Sequence, residues 1–156
     1  MSLYRFVAAN APIPEVDCTG VQKIKVKDLA RMKAEPPAGL SWEDFEEETE
    51  ILYSHSEDAL EQLHIFHCPN PPNGIEQYIT SQQVYWLEGS LGPDCMQQLY
   101  HYIMNLPAGV SIELWSVWMG TKKQPVEYKR MDRALLGPSD LSFIRQENSC
   151  LFIEHM

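Results

Sequence analysis

The chain has 156 residues, 44% of them hydrophobic and 22% charged, and a formal net charge of -10 at pH 7. That length predicts one domain with an adequate core, and its four Trp, seven Tyr and five Phe exclude an acidic disordered chain, which lacks such groups. The negative balance excludes a surface built to hold nucleic acid or anionic lipid, because both would be repelled.

Met1 to Asn10 carries one positive charge, Arg5, in an apolar run too short for a signal-peptide core or a membrane span. A cytoplasmic protein is therefore expected. Cys18, Cys68, Cys95 and Cys150 are scattered without a CxxC pair, so free thiols in a reducing compartment are expected.

Leu3 to Ala8 alternates Tyr4, Phe6 and Ala8 with Leu3, Arg5 and Val7 and predicts a strand. Pro12 and Pro14 end it. Lys23 to Val26 reads as a short strand and Asp28 to Ala34 as a weak helical turn, with a breaker at Glu35-Pro36-Pro37-Ala38-Gly39. Ser41 is a candidate N-cap, with Glu43 and Asp44 in the first turn where negative charge complements the helix dipole. Glu50 to His55 and Leu60 to Cys68 read as two strands of a hairpin around Ser56-Glu57-Asp58. The alternative is one helical turn from Glu57 to Leu63. Pro69-Asn70-Pro71-Pro72-Asn73-Gly74 is the strongest punctuation in the chain. It is expected to connect elements of one domain, with a subdomain junction at 69–74 as the alternative.

The second half is more regular. Gln82 to Glu88 predicts a strand. Pro93 suits the first position of a helix, which runs to about Leu106, with Met96, Leu99, Ile103 and Leu106 as its buried stripe and Gln97, Gln98, His101 and Asn105 outward. Val110 to Met119 has apolar groups on both faces, as a covered central strand does. After a loop from Gly120 to Pro125, Val126 to Met131 is expected to return as its hairpin partner. Ser139 opens a short helix to Gln146, and Cys150 to His155 is a last strand. The fold class is α+β: a largely antiparallel sheet, one long helix over 93–106 and one or two short ones. The β-α-β-β-α-β order of the second half is compatible with a split βαβ, ferredoxin-like arrangement.

No motif fixes a reaction. His64, His67 and Cys68 stand close together, but the second ligand pair that a zinc site needs is missing, so neither metal nor cofactor is expected. There is no Gly-x-Ser-x-Gly and no phosphate-binding glycine loop. Cys95, in the first turn of the long helix, is the best candidate for a thiol activated by the helix dipole.

The most informative feature is acidic. Glu43, Asp44, Glu46, Glu47, Glu48, Glu50, Glu57, Asp58 and Glu61 follow one another with no lysine or arginine between Glu43 and Glu61. Trp42 and Phe45 stand within the run, and interfaces need aromatic anchors as well as charge. The leading expectation is a non-enzymatic binding protein of inhibitor or immunity type. It would dock a basic protein through Trp42, Glu43, Asp44, Phe45, Glu46, Glu47, Glu48, Glu50, Glu57 and Asp58. The alternative is an enzyme or small-molecule binder with a pocket near Trp86, Glu113, Trp115 and Cys95.

Overall fold

The computed structural model describes residues 2–54, 58–120 and 122–155. The expectations placed on His55, Ser56, Glu57 and Thr121 fall outside them. In chain order the strands are β1 (Ser2–Ala9), β2 (Val16–Asp17), β3 (Gln22–Lys25), β4 (Glu50–Tyr53), β5 (His64–His67), β6 (Gln83–Glu88), β7 (Ile112–Met119), β8 (Glu127–Asp132) and β9 (Ser149–Glu154). The α-helices are α1 (Val26–Arg31) and α2 (Pro93–Met104), and a 3-10 helix spans Pro138–Arg145. The content is mixed α and β, mostly sheet. The chain divides into two compact units, Met1–Cys18 with Glu61–Met156, and Thr19–Leu60.

The larger unit holds a seven-stranded sheet in the order β2-β5-β6-β1-β7-β9-β8. All neighbours are antiparallel except β8 and β9, which are parallel. β1 lies between β6 and β7, with Val7 opposite Tyr85 on one side and Leu114 on the other. Since β6 and β7 both run against β1, they are parallel to each other, and β6-α2-β7 is a split βαβ. The intervening strand comes from outside the second half, so the order is not ferredoxin-like. Phe6, Val7 and Ala8 are wholly buried, which explains why β1 takes a central place: it has apolar groups for both faces.

One face of the sheet packs on α2 and the 138–145 helix. Val7, Leu87, Leu114, Leu151 and Ile153 meet Met96, Leu99, Ile103, Leu106, Leu141 and Ile144 in one cluster. The stripe predicted for α2 is the buried one, although the helix ends at Met104. Gln98 departs from expectation. It is half-buried, its Oε1 accepts the Leu63 N–H at 2.9 Å, and its Nε2 donates to Gln62 Oε1 at 2.7 Å. A buried arginine closes the end of α2 and the turn after it: Arg133 donates to Leu106 O at 2.9 Å and to Ile103 O and Pro107 O at 3.3 Å. Just before α2, Gly89 sits at φ +137°, and a Cβ there would come within 2.5 Å of Cys95 Sγ. Only glycine fits that approach.

On the other face, Phe6, Ala8, Val84, Trp115 and Val117 pack with Tyr78 and Ile79. The proline-rich 69–74 stretch joins β5 to β6, which are paired neighbours, and leads into the segment carrying Tyr78 and Ile79.

Two pairings differ from expectation. β8 is not the hairpin partner of β7. That place belongs to β9, whose Leu151 and Ile153 are buried, while β8 exposes Glu127, Tyr128, Lys129 and Arg130 and lies at the sheet edge. β4 and β5 are not a hairpin either. β5 carries buried Ile65 and pairs with β2 and β6, whereas β4 exposes Leu52 and pairs with β3 in a separate two-stranded sheet. Between them, Ala59–Glu61 forms a 3-10 turn, in line with the alternative helical reading.

The smaller unit consists of the β3–β4 ladder, α1 and a 3-10 turn over Trp42–Asp44. Among the described residues no helix is long and apolar enough to cross a membrane.

Candidate functional site

The acidic run begins at a well-formed cap. Ser41 Oγ accepts the Glu43 N–H at 3.3 Å, and Asp44 Oδ2 accepts the Ser41 N–H at 2.7 Å. This reciprocal arrangement satisfies the open end of the turn, and it commits Asp44 to a structural role. Trp42 is held by its indole, which donates to Ala34 O at 2.8 Å, and its ring lies 6.1 Å from that of Phe45. The run then passes beside the start of α1, where the Val26 and Lys27 N–H groups donate to Thr49 O at 2.9 Å and Glu47 O at 3.1 Å.

The result is a groove of about 510 Å³. Val26, Ala30, Trp42 and Phe45 supply its apolar lining, and Lys27, Arg31, Glu43 and Glu47 its charges. Trp42 and Phe45 are half-buried, while Glu43, Asp44, Glu46, Glu47, Glu48 and Glu50 are all exposed.

Four of the expected residues therefore meet at one place: Trp42, Glu43, Phe45 and Glu47. Glu46, Glu50 and Asp58 are exposed but do not line the groove, and Glu57 is outside the described residues. Glu48 is occupied from within the chain. Its carboxylate pairs with Lys25 Nζ at 2.8 Å and Lys27 Nζ at 2.7 Å. Hydrogen bonds from Lys25 and then Lys27 hold its pKa down to about 2, because a donor to the charged form favours it.

Reading the run alone missed these cations. Lys23, Lys25, Lys27, Arg31 and Lys33 stand just before the Glu35–Gly39 breaker, and β3 lies against β4 with Lys25 opposite Glu50. The signal was available: a basic block and an acidic block separated by a short breaker are placed to fold onto each other.

The residues of the alternative pocket separate in the larger unit. Trp86 and Trp115 both lie opposite Phe6, on one sheet face. Trp115 is buried, and its indole N–H has no hydrogen-bond partner among the described residues. Glu113 shares that face and is half-buried, and burial raises its pKa. Cys95 belongs to the cluster on the opposite face. Burial pushes its thiol pKa up, against the activation expected from the helix dipole. Cys150 is pushed up to about 12, chiefly by burial. All four cysteines are free.

At the far end of β5, His64 stands between two carboxylates, with Nε2 at 4.0 Å from Asp17 Oδ2 and Nδ1 at 3.9 Å from Glu88 Oε2. Among the described residues no three His, Cys, Asp or Glu side chains converge as metal ligands. A cavity of about 330 Å³ opens between β1 and β6 at this end of the sheet, with Tyr4, Phe66, Trp86 and Glu88 in its lining.

Comparison with family models, curated proteins and solved structures finds no match to this chain. The functional reading therefore rests on the residues themselves.

Proposed function

We propose that the chain is a non-enzymatic binding protein of inhibitor or immunity type that docks a basic protein partner. The observation that carries this reading is the groove beside α1, where Trp42 and Phe45 belong to the apolar lining and Glu43 and Glu47 stand at the charged edge with Lys27 and Arg31, whose charges are met by Glu48 and Asp28. An aromatic anchor beside exposed carboxylates offers a cationic surface both apolar contact and charge. Glu46, Glu50 and Asp58, all exposed, extend the negative field and speed encounter. Glu48 offsets the charge of the two lysines it pairs with. The same field speaks against nucleic acid as a partner. Four free cysteines fit a reducing, cytoplasmic setting.

The test is a kinetic comparison on a purified complex with a basic protein. The pair of changes Glu43→Gln and Glu47→Gln should slow association several-fold and flatten its dependence on salt. Equal association rates for the wild type and the Glu43, Glu47 double variant remove this site from consideration.

A further inference from the structure

The β1–β6 ladder stops early. It runs from Ala9 opposite Gln83 to Phe6 opposite Trp86 and ends there. Yet β1 continues its pairing with β7 to Ser2 opposite Met119, and β6 continues its pairing with β5 to Glu88 opposite His64. Each strand thus stays in the sheet on its outer side and parts from the other on its inner side. The gap between them is the cavity of about 330 Å³, at the lower end of the size of a small-ligand site.

What faces the gap is chemically narrow. Strand alternation puts Tyr4, Phe6, Phe66, Trp86 and Glu88 on one face of the sheet, with Phe6, Trp86 and Phe66 in one cross-strand row. The Trp86 ring lies 5.0 Å from Phe6 and 5.7 Å from Tyr4, and Phe66 is stacked at 4.3 Å on His64. Tyr4, Phe66 and Trp86 remain half-exposed, and Glu88 is exposed beside them. Among the described residues the one cation in the lining is Arg5, which alternates with Tyr4 and Phe6 and so belongs to the opposite face, where its charge acts on Cys95.

Aromatic faces with an adjoining carboxylate attract a weakly hydrated organic cation. The ring quadrupoles are negative over their faces, and the carboxylate supplies the counter-charge. The geometry points to a binding site for an alkylammonium group in the gap between β1 and β6, with Tyr4, Phe66 and Trp86 as the aromatic walls and Glu88 as the counter-ion. This site is independent of the groove proposed above for a basic protein.

The test uses choline and tetramethylammonium as free cations, N-acetyl-trimethyl-lysine amide as the side-chain form, and 3,3-dimethylbutan-1-ol as the neutral isostere of choline. Binding is read from the Trp86 indole N–H signal in NMR titrations, assigned with the Trp86→Phe variant. The ammonium compounds should shift that signal saturably, and the better binder of choline and the lysine derivative identifies the source of the group. The neutral isostere should bind about three- to thirtyfold more weakly, as a cation held by aromatic faces implies. Glu88→Gln, an exposed change that spares the fold, should weaken choline and leave the isostere unchanged. The proposal is overturned by the absence of a saturable shift up to about 50 mM, well above a millimolar Kd. Equal binding of the isostere, or unaltered choline binding in Glu88→Gln, overturns it as well.

Discussion

The helix side of the seven-stranded sheet and the acidic segment from Trp42 to Glu50 follow different rules. On the sheet, side-chain period decides: Met96, Leu99 and Ile103 lie three and four residues apart and are buried together with Leu114 and Leu151. In the acidic segment, neighbours in space decide. The six carboxylates from Glu43 to Glu50 include a cap (Asp44), a doubly paired group (Glu48) and groove-lining groups (Glu43, Glu47). Apolar burial is read well from spacing because it is non-directional and scales with area. The role of a charge depends on which opposite charge the fold brings within a few ångströms, and spacing does not encode that.

The sharpest attack on this contrast is to remove apolar volume where period rules. Leu99→Ala or Ile103→Ala should cost about 2–5 kcal/mol, since both side chains are fully buried and truncation loses transfer energy and leaves a cavity. Urea denaturation measures this. A loss below about 0.5 kcal/mol, typical of surface positions, would mean that the helix face is wrongly placed.

A smaller effect is expected at the polar edge of the same helix. Gln98→Ala leaves the Leu63 N–H, on a buried residue, without its acceptor, and should cost about 1–3 kcal/mol. Gln97→Ala, one residue away and exposed, should cost less than about 0.5 kcal/mol. Equal losses at the two positions would dissolve the distinction between a polar residue that serves a buried backbone group and one whose partner, His101, is itself exposed.

The smallest effect belongs to the acidic segment. Glu48 has a folded pKa near 2 against about 4.3 for an unperturbed glutamate. A depressed folded value stabilises the folded state at pH above the unfolded value. That contribution fades as pH falls from about 4.3 toward 2, and solvent exposure keeps it small. Comparing urea midpoints of wild type and Glu48→Gln at pH 5 and pH 2.5 should show a gap at the higher pH that narrows at the lower. A gap of the same size at both pH values would show that Lys25 and Lys27 do not hold this carboxylate.

Much of the larger unit was legible from the sequence. β1, β6, α2, β7 and β9 fall where alternation, helical spacing and Pro93 put them, and Ser41 caps the turn that its neighbours suggest. What was not legible is pairing between distant segments. β8 was expected beside β7, its neighbour in sequence, but lies parallel to β9. Nothing local distinguishes an exposed edge strand from a hairpin arm when both are amphipathic. Arg133 has no signal in its own surroundings that it closes the end of α2, because its acceptors lie near residue 106. The place of Cys95 in the first turn of a helix suggests an activated thiol, and burial acts the other way. At the acidic site, the aromatic anchors were legible and the internal lysine partners were not.

The central place of β1 has a consequence for how the molecule comes into being. Its two neighbours, β6 and β7, occupy residues 83–88 and 112–119, so on the ribosome Phe6, Val7 and Ala8 are made well before either strand they pair with. Until then an aromatic, β-branched strand with no partner is free to find the same segment of another chain. The wide sequence separation also implies that sheet closure is slow compared with the formation of α2. The stability of the finished sheet and the hazard of its assembly thus come from the same few residues of β1.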